Sequence, residues 1–368
     1  MTAARYIMVG GFLGAGKTTA LLRLAEKLRG EGRRVGLITN DQSVNLVDTA
    51  VLNAHDFPVE EITGGCFCCR FNSLTEAAEK LSADERPDVF LAEPVGSCTD
   101  LAATVAYPLR RLYGEAFTVA PYSVLVDPIR AERILGLADG KSFSPKVVYI
   151  YRKQLEEADV IAVNKCDLLD PSRLGRLVMA LRTEFPKADV VAMSARTGKD
   201  FDGWADKLAE SEMPAGTAMD VDYDTYAEGE ALLGWVNLTV TVTSPAAFDG
   251  NGFVTAVATA VHRRLQQDGT EVAHLKMTLA PEEGLDLAVA NLVRTDGTTE
   301  FSHSLQEPLE VGEFLLNLRA EADPAGLKSA AEECLQEVAS ATGITADVVH
   351  AEAFRPGRPV PTHRFTEA

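Results

Sequence analysis

An apolar strand pattern at Arg5–Val9 runs into Gly11-Phe12-Leu13-Gly14-Ala15-Gly16-Lys17-Thr18 and then into a helical pattern at Lys17–Arg29, where Leu21, Leu24, Ala25 and Leu28 share one face. This strand–loop–helix arrangement constrains the fold more than any other part of the chain. Glycine at 11, 14 and 16 lets the backbone amides of the loop, Ala15 included, turn inward and line up on phosphate oxygens, where a side chain would obstruct the approach. Lys17 is then placed to reach the terminal phosphates, the Thr18 hydroxyl to hold Mg²⁺ and Thr19 to touch the α-phosphate. A glycine-rich turn serving only to enter a helix would not require the lysine, the hydroxyl and both flanking elements together.

Further apolar runs alternate with amphipathic stretches, as parallel α/β folds do. Strands are expected at Arg34–Thr39, Val89–Ala92, Ser123–Val126, Val160–Val163 and Val190–Met193, and helices near Leu74–Leu81, Leu101–Leu112, Ile129–Leu137, Val147–Glu157, Ser172–Phe185 and Phe201–Leu208. The pattern predicts a doubly wound, mostly parallel sheet with ligands at the carboxyl ends of its strands. Glu93 closes one of these strands and is the acidic residue expected opposite the phosphate loop, binding the metal through water or orienting the attacking water. Gly96, three residues on, is placed to donate its amide to the γ-phosphate.

Asn164-Lys165-Cys166-Asp167 follows the strand at Val160–Val163, the position of a base-reading loop. The Asp167 carboxylate can accept hydrogen bonds from guanine N1–H and the exocyclic amine, an edge that adenine does not present. A base lacking those donors leaves the carboxylate unpaired and is rejected by a large factor. Ser194-Ala195, after the next strand, supplies a second loop towards the guanine carbonyl. The expected nucleotide is therefore GTP.

Three of the six cysteines, Cys66, Cys68 and Cys69, fall within four positions behind Gly64-Gly65. That spacing is not a disulfide framework, and a chain long enough for two cored domains needs no such staples. Close thiolates on a bent loop can converge on one ion, and soft sulfur favours Zn²⁺, Cu(I) or an iron–sulfur fragment over hard cations. Three ligands leave a fourth position open, which suits an ion that is handed on; a structural zinc takes four protein ligands. A buried thiol trio that binds nothing, or a redox pair, is the other reading of the same residues. Cys98, five residues past Glu93, is a candidate fourth ligand set against the alternative of a small core residue. Cys166 and Cys334 read as structural, and the six histidines show no ligand spacing.

The α/β alternation stops at Met213-Pro214-Ala215-Gly216 and the acidic stretch Asp220–Tyr226. Beyond it, strand patterns at Gly234–Thr243, Glu271–Leu279, Leu285–Arg294, Phe314–Ala320 and Val348–Phe354 accompany helices at Phe253–Gln266 and Pro324–Thr342. Two helices on an antiparallel sheet predict a small α+β domain of ferredoxin-like type. The expected layout is a nucleotide-binding domain at 1–213, an acidic linker at 214–230, the α+β domain at 231–355 and a loosely ordered, proline-containing tail at 356–368.

Lysine and arginine total 35 against 54 aspartates and glutamates, a net charge of −19 that disfavours nucleic acid or an anionic membrane as a partner. No apolar run approaches the roughly 20 residues of a membrane span. The N-terminus runs into the phosphate loop instead of a cleavable leader. A cytoplasmic protein with reduced thiols is expected.

Taken together, GGFLGAGKTT at 10–19, Glu61-Ile62-Thr63-Gly64-Gly65-Cys66-Phe67-Cys68-Cys69, Glu93-Pro94-Val95-Gly96, and Gln154-Leu155-Glu156-Glu157-Ala158-Asp159 ahead of Asn164–Asp167 resemble the CobW-type GTPases, relatives of the nickel-delivery GTPases HypB and UreG. The likeness covers roughly residues 5–210. It implies a slow GTPase acting as a metallochaperone or metalloenzyme activator, with zinc as the best-supported cargo and cobalt or nickel in some members. It also implies a client metalloprotein as partner and admits a homodimer. By that resemblance the metal falls to Cys66, Cys68 and Cys69, and the nucleotide to the phosphate loop, Glu93, Asn164, Lys165 and Asp167.

Two departures matter. Asn40-Asp41-Gln42-Ser43 stands where the family usually has Asn-Glu followed by an aromatic residue and a glycine, so Asp41 becomes the candidate group for Mg²⁺ or the attacking water, on a shorter carboxylate. The histidine-rich segment frequent in the family is replaced by Asp220, Asp222 and Asp224, which argues against storage of extra zinc ions. Two functions follow: GTP-driven metal insertion, and GTP-dependent remodelling of a metal- or corrinoid-enzyme by a protein that carries no metal itself. A P-loop kinase is disfavoured by Asp167 and by the lack of an obvious lid.

Overall fold

Strands β1 (Ala4–Gly11), β2 (Val35–Asn40), β3 (Val59–Ile62), β4 (Val89–Glu93), β5 (Phe117–Val119), β6 (Ser123–Val126), β7 (Val160–Val163) and β8 (Asp189–Ala192) form one sheet in a computed structural model that describes residues 3–40, 57–83, 85–284 and 286–367. The order is β3-β2-β4-β1-β6-β7-β8, with β5 also pairing β1, and every pairing is parallel. Parallel strands covered on both faces carry continuous apolar runs; accordingly Val89–Ala92, Val124–Val126 and Val160–Val163 are buried throughout. The chain fills one side of β1 first and then the other. That reversal puts the carboxyl end of β1 at the crevice where such sheets hold ligands.

Helix α1 (Lys17–Gly30) packs Leu21, Leu24, Ala25 and Leu28 against the sheet and places Lys27 and Arg29 in its last turn, complementing the helix dipole. Its N-cap is Gly16, without a side-chain cap, and the N-terminus of such a helix favours an anion.

A second compact unit spans Glu228–Arg358. Its strands are β9 (Leu233–Phe248), β10 (Glu271–Pro281), β11 (Ala288–Leu292), β12 (Glu300–His303), β13 (Leu309–Glu321) and β14 (Thr345–Phe354), in the antiparallel order β12-β11-β10-β13-β9-β14. The part β14-β9-β13-β10, with helices Gly250–Gln267 and Pro324–Thr342, has the ferredoxin-like connectivity; β11 and β12 extend it by a hairpin at the β10 edge. Val254, Val257, Val261, Leu275, Met277, Phe314 and Leu316 fill the core between helices and sheet.

Three strands escape the sequence pattern. Strand β3 is partly exposed with two central glutamates, β5 has only three residues, and β12 is a four-residue edge strand. The acidic stretch at 214–230, expected as a linker, carries most of the helix Tyr223–Leu232, with Tyr226 buried. The terminal segment Pro359–Ala368, expected as a loose arm, belongs to the nucleotide-binding unit and is hydrogen-bonded to it. Among the described residues no helix is long and apolar enough to cross a membrane.

Candidate nucleotide and metal site

The phosphate loop joins β1 to α1. Gly16 sits at φ 91°, and a Cβ there would stand 2.5 Å from the Asn164 amide nitrogen, so the position excludes any other residue on two counts. Lys17 and Glu93 are both buried, with Lys17 Nζ 3.9 Å from Glu93 Oε1. The Thr18 hydroxyl donates to the same carboxylate oxygen at 3.2 Å. Thr19 is exposed one residue further along the helix. Gly96 closes on the loop from the other side: an added Cβ would lie 3.0 Å from both Leu13 N and Lys17 Nζ. The Glu93 carboxylate, the lysine, the hydroxyl and the Gly96 backbone therefore converge at the mouth of the loop.

The base-reading residues are tied to the phosphate loop by hydrogen bonds. Asn164 donates to Ala15 O at 2.8 Å and accepts from the Ala195 amide at 2.9 Å, joining the loops at 15, 164 and 195. Lys165, in the left-handed region at φ 54°, donates to Gly14 O at 2.7 Å and to Asp127 Oδ2 at 2.9 Å. Asp167 is exposed on the short turn Cys166–Leu168, while Ser194 is buried and accepts from the Thr197 amide. Arg23 of α1 donates to Ala195 O at 2.9 Å.

The cysteine loop lies between β3 and the helix Phe71–Leu81. Asn40, the last residue of β2, donates to Ile62 O at 2.9 Å and Gly65 O at 2.7 Å and accepts from the Phe67 amide at 2.8 Å, bracketing the bend. The amides of Cys69 and Arg70 both turn back onto Cys66 O. The Sγ atoms of Cys66 and Cys68 are 2.8 Å apart, those of Cys66 and Cys69 3.2 Å, and those of Cys68 and Cys69 3.7 Å. A tetrahedral zinc with bonds of about 2.3 Å sets its sulfurs about 3.8 Å apart. The Cys68–Cys69 edge already has this length, and the other two need to open by less than an atomic radius.

The thiols of Cys68, Cys69 and Cys98 hydrogen-bond to Cys66 and hold its thiol well below the usual range, whereas Cys68 is driven well above it by its contacts with Cys66 and Cys69 and by burial. Cys98, the candidate fourth ligand five residues past Glu93, is buried, and the sulfurs that lie within 4.8 Å of one another are those of Cys66, Cys68 and Cys69. Cys166 and Cys334 stand buried elsewhere as free thiols. Asp41 lies outside the described residues.

Several further residues support the site. Gln154 donates to Gly96 O at 2.9 Å and Cys98 O at 2.8 Å. Glu157 accepts from the Thr99 hydroxyl and the Ala102 amide, and burial pushes its carboxyl up to about 8. Asp100, at φ 64°, takes hydrogen bonds from Tyr223 and Arg364, and the Tyr226 hydroxyl accepts from the Thr99 amide. Gln154 and Glu157 are therefore a cradle for the loop running from Glu93 to Ala102. Asp127 was findable from Asp-Pro at a helix start, since it caps Pro128–Ile134. Asn40 is marked only by its place in the Asn40–Ser43 stretch, and Asp100 and Arg364 carry no local signal.

Residues 5–192, a little over half of the chain, match the family model described as CobW/HypB/UreG, nucleotide-binding domain. Among curated proteins the chain is similar to "Zinc chaperone CobW" of a Sinorhizobium species, 24% identical over 279 residues covering 66% of this chain and 74% of that one. It is also 31% identical over 169 residues to "Zinc chaperone YeiR" of Escherichia coli, covering 45% of this chain and 47% of that one, so the match spans about half the length of that relative. Among solved structures, the Zn(II)-bound YjiA GTPase of E. coli aligns over 91% of this chain and 99% of that chain, with a TM-score of 0.41 and 13% identity. The family match, on a chain whose phosphate loop, base-reading loop and thiol cluster lie on one sheet's carboxyl edge, makes this protein a member of the CobW/HypB/UreG family.

Proposed function

We propose that this chain hydrolyses GTP and couples the nucleotide cycle to uptake and release of a transition metal, zinc before cobalt or nickel, on Cys66, Cys68 and Cys69 with Cys98 as the fourth sulfur. The observation that carries this reading is a short path. Cys98 lies two residues past Gly96 and is buried, and its influence helps to lower the Cys66 thiol, one of the three sulfurs that lie together. A γ-phosphate that draws the Gly96 amide towards itself moves the segment that holds Cys98, and so changes the sulfur set offered to the ion. Two relatives named as zinc chaperones support zinc as the cargo.

In this reading Lys17 neutralises the terminal phosphates and Asp167 selects guanine. Thr18 and Glu93 would hold Mg²⁺, which supplies positive charge to the β- and γ-oxygens when bound. The Glu93 contacts to Thr18 and Lys17 part as phosphate arrives, and the freed carboxylate, with Asp41, orients water for attack. A metalloprotein client in the cytoplasm then removes the ion from the thiolates once hydrolysis has relaxed the loop from Glu93 to Ala102.

Linkage requires that zinc and nucleotide alter each other's affinity by the same factor. Zinc is titrated against the protein loaded with GDP and with a non-hydrolysable GTP analogue, and the expected difference is about tenfold or more. Equal affinities would sink the coupling and leave a GTPase beside an inert thiol site.

A further inference from the structure

Residues 359–367 run across the sulfur cluster. The Val360 amide donates to Cys69 Sγ at 3.2 Å. The Thr362 amide donates to Cys68 O at 2.8 Å, and its hydroxyl to Cys69 O at 3.2 Å. His363 meets the Phe71 ring edge-on with centroids 5.0 Å apart, next to the cysteine loop. Beyond this point the segment changes anchor: Arg364 bonds Asp100 at 2.7 Å, and the Phe365 amide donates to Ala103 O at 2.9 Å. Arg111 stacks over the Phe365 ring, and Glu367 forms a bridge with Thr217.

One end of this segment thus rests on the cysteines and the other on the loop that descends from Gly96. From this we infer that residues 359–367 are a removable cover over the thiols, latched by Arg364 on Asp100, and that movement of the nucleotide-facing loop loosens the latch. The inference rests on the metal-delivery reading for its purpose and on the geometry for its existence. Cys66 and Cys68 are buried although they belong to a surface loop, and the cover closes the approach beside Cys69, the one partly exposed sulfur of the three. An acceptor reaching for a bound ion must first displace this strip. The contacts are mostly to exposed or half-buried groups, so the segment can open without unfolding the unit beneath it.

The test measures alkylation of the metal-free thiols by iodoacetamide, read site by site by mass spectrometry, in the full chain, in a chain ending at Arg358, and in Arg364→Ala and Val360→Pro, the latter removing the amide that faces Cys69. Truncation is expected to speed modification of Cys68 and Cys69 about tenfold, and each point variant about threefold. A synthetic peptide of residues 359–368 should restore protection to the truncated chain. In the parent the rate should differ between GDP and the GTP analogue, and Arg364→Ala should erase that difference. Rates within twofold of the parent in both point variants overturn the cover, whether or not the truncated chain keeps its fold. Faster alkylation with an unchanged rate of zinc transfer to a chelator would keep the cover and overturn the delivery reading.

Discussion

The phosphate loop and the cysteine loop are built alike and present opposite chemistry. Each follows a parallel strand, bends at glycine and enters a helix whose N-cap supplies no side-chain cap. In the first, the helix starts behind Gly16 with no side-chain cap, and in the proposed reading its entrance faces negative charge. In the second, the amides are spent: Phe67 donates to Asn40, and Cys69 and Arg70 donate to Cys66 O. The side chains are what remains, and three sulfurs face one another. Whether a strand–loop–helix turn binds an anion or a cation is thus decided by where its backbone donors go.

The strongest way to break this comparison is to disable one loop and ask whether the other notices. Lys17→Ala removes the charge aimed at the phosphates and is expected to lower GTP turnover by about 10³-fold while leaving zinc affinity in the nucleotide-free state unchanged, as measured by phosphate release and competitive chelation. Loss of both functions together would show the two loops to be one cooperative structure. Next in size is Asp167→Asn, which offers guanine a donor where it needs an acceptor; GTP affinity should fall about 100-fold, with xanthine nucleotides, which carry a carbonyl at that edge, favoured instead. An unchanged base preference in direct binding would remove Asp167 from base reading.

Asn40→Leu sharpens the comparison from the other side. It strips the bracket from the cysteine bend without touching a sulfur, and zinc affinity should drop about tenfold, as with other outer-shell supports of metal ligands. The smallest effect concerns the cradle. Burial raises the Glu157 carboxyl to about 8, so the folded chain holds a proton there that the unfolded chain has already lost. Its contribution favours folding at low pH and fades as pH rises from the ordinary carboxylate range towards 8. Glu157→Gln should be flat over this window and melt about 3 °C above the parent near pH 8.5, with no gap near pH 5. Parallel melting curves at all pH values would mean that this carboxyl is not held protonated.

What the sequence made legible follows the same division. Binding through backbone amides needs glycine, lysine and threonine at fixed local offsets, so the phosphate loop, the Asn164–Asp167 turn and the Cys66–Cys69 run are visible in a few consecutive residues. The ferredoxin-like core is visible too, because β9, β10 and β13 are long enough to show their pattern. Support from a distance has no such trace. Asn40 and Gly65 are 25 positions apart, Arg364 and Asp100 are 264 apart, and nothing local to either member marks the pair. The tail read as loose because prolines and polar residues suggest an arm, whereas its hydrogen bonds go to carbonyls and a sulfur that only the fold brings near.

Asn164 and Lys165 both reach across to carbonyls of the phosphate loop. If the two loops hold opposite ends of a nucleotide as proposed, these bonds make them one caliper with a set gap between purine and phosphate. Such a tool measures a whole molecule: free pyrophosphate or a bare guanine base fills one jaw only, and an injury at the purine end loosens the grip on the phosphates.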